Sequence, residues 1–342
     1  MTEHTSNQGN QPIDAVIAWV DGSDPALAQK RNRYLRGPHR VAAQAVAATR
    51  FACSNEIRYC VLSILKFAPF IRNIFIVTDG QDPGLDQEIR THFPERRHAI
   101  RIVDHKEIFE GYEEYLPTFN SISIGNMVWR IKGLSEHFVY FNDDVFLIRP
   151  VKPREWVKNN RVVMRGKWML PPFVKMAKNF FRNIIHRKLL NKPGYMPKFS
   201  FYLVQWNAAS TAGIRARFFF NCHTPHVLNR KRLEAFFSKN KALLKGNISY
   251  RFRNQKQFNV TTLANHLEIL DGNKNTAKLN LGYLVPSYYS KRRLKLKMRR
   301  CESDESIKSV CVQSLDTARQ EEQEQILSWM DQILELKQTG SS

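Results

Sequence analysis

The sequence predicts an α/β protein built on a mostly parallel, Rossmann-like sheet, followed by a basic, helix-rich second half. Three observations carry that expectation. Short apolar runs alternate with segments of helical spacing through the first 150 residues, and acidic residues recur just past the ends of those runs. The net charge of +22 is also segmented: residues 1–150 hold 17 basic and 18 acidic side chains, residues 151–300 hold 33 and 4, and residues 301–342 hold 3 and 9. A near-neutral region therefore precedes a strongly basic one and a short acidic one.

Ile13 to Val20 reads as a buried strand. Ile57, Cys60, Val61, Ile64, Leu65 and Ala68 recur at helical spacing until Pro69 stops them. Ile74–Val77, Ile100–Val103 and Phe138–Phe141 supply three further buried strands, with a helix-compatible stretch from Ser121 to Ile131. Strands alternating with helices favour parallel pairing. Farther on, Val174 to Leu190 reads as a basic amphipathic helix and Leu315 to Leu336 as an acidic one. Lys291 to Arg300 carries seven cations in ten residues. The resulting division is a disordered tail at 1–12, an α/β region at 13–150, a basic region at 151–300 and an acidic helical tail at 301–342. With 43% hydrophobic residues and 22 Phe, most of the chain is expected to fold. No signal peptide or membrane span is apparent, and five cysteines without a CxxC fit a reducing cytoplasm.

In open parallel sheets, ligands bind at the carboxyl ends of the strands. Asp21 and Asp24, Asp79 and Asp82, Asp104, and the pair Asp143-Asp144 all fall there. The repeated patterns Asp21-Gly22-Ser23-Asp24-Pro25 and Asp79-Gly80-Gln81-Asp82-Pro83 admit a structural reading, since Asp before Pro is a usual helix start. Asn142-Asp143-Asp144 is harder to explain that way. Adjacent carboxylates leaving a buried strand repel each other unless a divalent cation or a cationic side chain neutralises them, and Mg2+ suits such a motif.

Ile13–Pro25, Glu56–Pro83, Leu116–Ser121 and Arg130–Leu147 together resemble the first two conserved regions of the Stealth family. That family comprises bacterial capsular and exopolysaccharide phosphotransferases and the catalytic subunit of N-acetylglucosamine-1-phosphotransferase. Cys222-His223-Thr224-Pro225-His226 and Ser249–Arg253 are similar to parts of a later region, which implies a helix after the histidines at Val227–Phe237, and Leu279–Gly282 is similar to a last one, though without its acid. Other departures are Ile122–Gly125, where the family has Ala-Ile-Glu, and Leu62-Ser63-Ile64, where it has Arg-Ser-Ile.

The resemblance implies a nucleotide-sugar-transferase type of Rossmann-like fold and transfer of a sugar 1-phosphate from a nucleotide diphosphate sugar, such as a UDP-sugar, to a glycan hydroxyl. For that chemistry Mg2+ or Mn2+ is expected on Asp143 and Asp144, and phosphate oxygens on Arg50 and on Arg251 or Arg253. His223 is the first candidate for the base, with Asp21 or Asp24 as alternatives; Trp19, Gly22, Asn120, Ser121 and Asn142 are candidate substrate contacts. The acceptor is expected to be an anionic glycan or a lipid-linked one. The basic block can meet that acceptor or the inner face of a membrane, and the amphipathic helix at 174–190 suits ordinary core packing as well as a lipid surface. A metal-dependent nuclease or nucleic-acid-binding protein is the alternative reading of the cations, and a non-catalytic membrane scaffold a third. No nucleic-acid motif supports the former, so no nucleic-acid partner is expected.

Overall fold

A computed structural model describes residues 11–35, 56–190 and 199–336. Most of the expected 1–12 tail and Arg50 lie outside the described residues. From the N-terminus, the elements used below are β1 (Ile13–Ala18), α1 (Pro25–Leu35), α2 (Glu56–Phe67), β2 (Ile71–Thr78), β3 (Ile100–Asp104), α3 (Ser121–Gly125), β4 (His137–Asn142) and β5 (Val145–Leu147). They continue with α4 (Phe173–Ile184), α5 (Phe201–Thr211), β6 (His226–Asn229), α6 (Arg230–Lys239), α7 (Val260–Leu270), β7 (Leu281–Leu284), α8 (Lys291–Ser303), β8 (Ser309–Val312) and α9 (Gln320–Leu334).

The central sheet has the order β6-β4-β1-β2-β3. β1 pairs in parallel with β2 and β4, and β2 with β3, while β6 closes the β4 edge antiparallel. The expected mostly parallel α/β fold is therefore present. β1 is apolar without alternation because both its faces are covered. Ala15 and Ile17 join one cluster with Ile57, Val61 and Ile64 of α2, and Val16 joins the opposite cluster with Phe75, Phe138 and Leu263. Each such buried aliphatic side chain contributes roughly 1.5–3 kcal/mol.

The one carboxylate inside β1 is structural. Asp14 is fully buried and accepts from Arg72 Nε and Nη2 at 2.9 and 2.6 Å, and from the Ser135 backbone N–H at 2.7 Å. It thus ties the amino-terminal ends of β1, β2 and β4 together, away from the ligand side.

A second sheet, ordered β7-β8-β5, adjoins the first. β8 runs parallel to β7 and antiparallel to β5. The turn at Asp143-Asp144 carries the chain from β4 in the first sheet to β5 in the second, and the Val312 N–H donates to the Asp144 carbonyl at 2.9 Å. The acidic segment therefore supplies a central strand as well as α9, whose Asp331 accepts from Tyr59 on α2 at 2.9 Å.

Three local expectations change. The helix expected at Val227–Phe237 begins only at Arg230: His226–Asn229 pair with β4, and Asn229 Oδ1 caps α6 by accepting from the Arg232 N–H at 2.9 Å. The stretch from Ser121 is helical only to Gly125. Core packing of the 174–190 segment fails, because no residue of α4 is buried. By contrast α8 is a packed helix: Leu294, Met298 and Cys301 face inward and its cations lie outside.

Candidate active site

A cleft of about 700 Å³ opens at the carboxyl ends of β1, β2 and β4, closed on its other sides by α3, α5, α7 and the second sheet. Its position follows from the topology, since the strand order reverses across β1 and the loops after β1 and β4 diverge there. Asp143 and Asp144 line it together with Tyr140, His223 and Arg253.

The two carboxylates are half-exposed, their open side being the cleft, while protein packs around the rest. Loss of hydration and the adjacent Asp144 charge push Asp143 up to about 7. Loss of hydration raises Asp144 too, against the pull of His223 and a bond from the Cys311 thiol, whose Sγ lies 3.5 Å from Oδ2. Both shifts mark a charge pair that lacks a full counter-charge. Buried Cys60 and Cys311 are both raised well above the usual thiol range, first by burial and then by these carboxylates, so both are thiols beside the site as long as no cation binds; a cation bound by Cys311 would displace its proton.

Donor atoms of Asp144, His223 and Cys311 all lie within 4.8 Å of one another. Asp144 Oδ1 is buried without a hydrogen-bond partner. An unpaired carboxylate oxygen next to an imidazole and a thiol fits a divalent cation. The nitrogen and sulfur donors suit Mn2+ or a softer ion better than the oxygen-seeking Mg2+. His223 also packs against the Tyr283 ring at 5.5 Å. His226, three residues on, is half-buried at the start of β6, where it also lines the cleft and is pushed down to about 4 by desolvation.

The other sequence candidates divide into two groups. Trp19, Asn120, Ser121, Asn142 and Arg253 line the cleft. Arg253 Nη2 donates to Ser121 Oγ at 2.5 Å, and its guanidinium lies over the Phe201 ring at 5.0 Å. Asn120 caps α3 and spends its amide on the Tyr250 carbonyl and Gln257, at 2.8 and 2.9 Å. Asp21, Gly22, Asp24 and Arg251 are absent from the lining. Asp24 Oδ1 accepts from the Ala26 N–H at 2.8 Å at the start of α1, and Oδ2 accepts from Gln81, which holds the carboxyl below the usual carboxylate range. Asp21 accepts from Ser23 N and Oγ at 2.9 and 2.6 Å. Arg251 donates to the carbonyls of Glu114, Tyr115 and Pro117 at 3.1, 3.1 and 2.9 Å, fixing the loop before α3. These residues shape the rim, and the structure does not bring them to the carboxylate pair.

Several lining residues carried no sequence signal. Tyr140, Asn221, Asn259 and Tyr283 lie in ordinary-looking segments, and Cys311, buried behind the lining against Asp144, sits in an apolar strand far along the chain. The cleft walls also hold unpartnered buried polar atoms besides Asp144 Oδ1: Trp19 Nε1, Thr118 Oγ1, Asn221 Nδ2 and Asn259 Oδ1. Such atoms are costly when buried and unmade, so they are suited to a polar ligand rich in hydroxyls or phosphate oxygens.

Family models for Stealth conserved region 1 and conserved region 2 match residues 11–37 and 50–165, the stretches that hold β1 and the carboxylate pair. The chain carries the first two Stealth conserved regions. Among curated relatives, a capsular polysaccharide phosphotransferase of Actinobacillus pleuropneumoniae is 37% identical over 204 residues, 56% of this chain and 50% of the relative. Two exopolysaccharide phosphotransferases of Streptomyces coelicolor are 44% identical over 44% of this chain and 26% of the relative, and 32% identical over 75% and 38%. The chain spans half or less of the length of these curated relatives. Among solved structures, the galactosyltransferase LgtC with donor and acceptor sugar analogs aligns over 96% of this chain and 98% of its own, at 11% identity and a TM-score of 0.41. The Stealth regions thus contribute Trp19, Asn120, Ser121 and Asn142–Asp144, whereas His223, Arg253 and Cys311 lie beyond the matched residues.

Proposed function

We propose that this protein transfers a sugar 1-phosphate from a nucleotide diphosphate sugar to a hydroxyl of a glycan or lipid-linked glycan, forming a phosphodiester in capsule or exopolysaccharide synthesis. The observation that carries this reading is the convergence of Asp143, Asp144, His223 and Arg253 in one cleft at the strand ends. A divalent cation there would be held by Asp144, His223 and Cys311, and would supply positive charge to the diphosphate oxygens. The nucleotide sits toward Trp19 and Asp79, at the ends of β1 and β2, and the sugar toward Asn221 and Asn259. Arg253, already bonded to Ser121, presents its fork to phosphate oxygens.

The acceptor oxygen attacks the sugar-bearing phosphorus, the bond to the bridging oxygen breaks, and nucleoside monophosphate leaves. Asp143 takes the acceptor proton: it lines the cleft next to Asp144, stands outside the Asp144–His223–Cys311 cluster, and its value near 7 suits a base. Positioning and charge stabilisation do most of the work in such reactions. In a panel of UDP-sugars with Mg2+, Mn2+ or EDTA, at least one donor should release UMP in a metal-dependent way. Asp143→Asn should lower that release by at least about 10²-fold with the fold intact. Undiminished release by the variant removes the proposed base.

A further inference from the structure

α4 is turned inside out relative to a helix of a globular core. At 100° per residue, Phe173, Met176, Ala177, Phe180, Phe181 and Ile184 share one broad face, and Lys175, Lys178 and Arg182 lie opposite. The side nearest the protein is the one carrying Asn179 and Asn183, and Asn179 Nδ2 donates to Gln255 at 3.3 Å. The apolar face looks outward: Phe173 is 64% exposed, Phe180 and Phe181 61%, and Val174 84%. Leu170 before the helix and Leu189 after it extend this face at 76% and 75% exposure. A contiguous apolar patch of this kind marks an interaction surface.

Charge decides what covers it. Between Glu155 and Glu234 the sequence contains no Asp or Glu, and α4 lies in the middle of that stretch. A second copy seated on this face would bring two such cationic stretches together, which is repulsive. A bilayer rich in anionic lipid satisfies both halves of the pattern, with rings in the acyl boundary and Lys175, Lys178 and Arg182 extending along the flanks to headgroups. The helix also adjoins the element that walls the active site: Phe173 packs edge-on against Trp206 of α5 at 6.3 Å, and Phe201 at the start of α5, 40% exposed, lines the cleft under Arg253. Among the described residues no helix is long and apolar enough to cross a membrane, so α4 would lie in the interface.

We infer that α4 docks the protein on an anionic phospholipid surface and brings the mouth of the cleft against it. This stands or falls separately from the transferase reading, because vesicle binding needs no sugar donor. The full chain is floated with vesicles of phosphatidylcholine mixed with phosphatidylglycerol, and with phosphatidylcholine alone. Binding should be strong only to the anionic vesicles and should weaken with salt. Phe180→Asp with Phe181→Asp, and separately Lys175→Glu with Lys178→Glu and Arg182→Glu, should each lower it by about tenfold or more. Circular dichroism and thermal unfolding serve as the folding control, and both variants should match the wild type there. Wild-type affinity in both variants, equal affinity for the two vesicle types, or a stable dimer that the Phe substitutions dissolve in place of vesicle binding overturns the inference.

Discussion

Arg251 and Arg253 stand two positions apart and do different work. Arg251 is spent on three backbone carbonyls, whereas Arg253 reaches the cleft beside Asp143. Arg251→Ala should therefore lower stability by about 2–3 kcal/mol, by leaving partly buried carbonyls unpaired, and leave turnover per folded molecule within a few-fold. Arg253→Ala should leave the unfolding midpoint nearly unchanged and cut turnover by about 10²-fold, the usual cost of one lost donor to transition-state charge. Chemical denaturation and a steady-state assay on both variants check the pair, and interchanged outcomes would reverse the assignment. From sequence the two arginines are equivalent, because only the packing of Glu114–Pro117 tells them apart. Asp143-Asp144 was legible for the opposite reason: two adjacent carboxylates after an apolar strand have few structural uses. Cys311 was not, since Ser309–Val312 reads as any buried strand and its approach to Asp144 depends on pairing with β5.

At the scale of elements, the Asp-x-x-Asp-Pro repeat shows how one local pattern serves different ends. Asp24 caps α1, while Asp82 accepts from the Gly84 N–H at 2.9 Å in a turn and caps no helix. Asp24→Ala should destabilise by about 1 kcal/mol, and Asp24→Asn, which keeps the cap acceptor, by only a fraction of that, as thermal unfolding of the two variants would show. Complete loss of turnover in a folded Asp24→Asn protein would instead return this residue to the chemistry. The parallel strands β1 to β4 were readable because burial on both faces leaves continuous apolar runs. β6 was misread because His226-Val227-Leu228 is too short a run to separate an edge strand from a helix start, and its pairing with Tyr140–His137 is non-local. For α4 the period was right, while its environment stayed open between core packing and a lipid surface until no residue of the helix proved buried. Periodicity identifies an apolar face but says nothing about what covers it.

Across the whole molecule, buried titratable groups link the fold to pH. His105 is buried with both ring nitrogens unpartnered, and desolvation, the largest influence, lowers it from 6.5 to about 4 despite Asp79 and Asp104 nearby. The folded state therefore binds this proton less readily than the unfolded chain. Its contribution is full above pH 6.5 and is lost as pH falls toward 4, by about 3 kcal/mol in all. Asp143 acts in the opposite sense, since its raised folded value makes the protein less stable as pH rises from 3.8 toward 7. Replacing His105 with Gln isolates the first effect: the difference in unfolding free energy between variant and wild type should vary across pH 4 to 6.5, and a constant difference would remove the assignment. The two sheets meet at Asp143-Asp144, so the basic and acidic segments complete a site founded on the near-neutral α/β region. The central claim is that phosphorus travels with the sugar. A nucleotide sugar carrying 32P at the sugar-bearing phosphorus, incubated with metal and a glycan acceptor and followed by separating the radiolabelled products, tests it. The account predicts label in a new phosphodiester on the glycan with release of nucleoside monophosphate; label retained in released nucleoside diphosphate, beside a phosphorus-free glycosidic product, would contradict it.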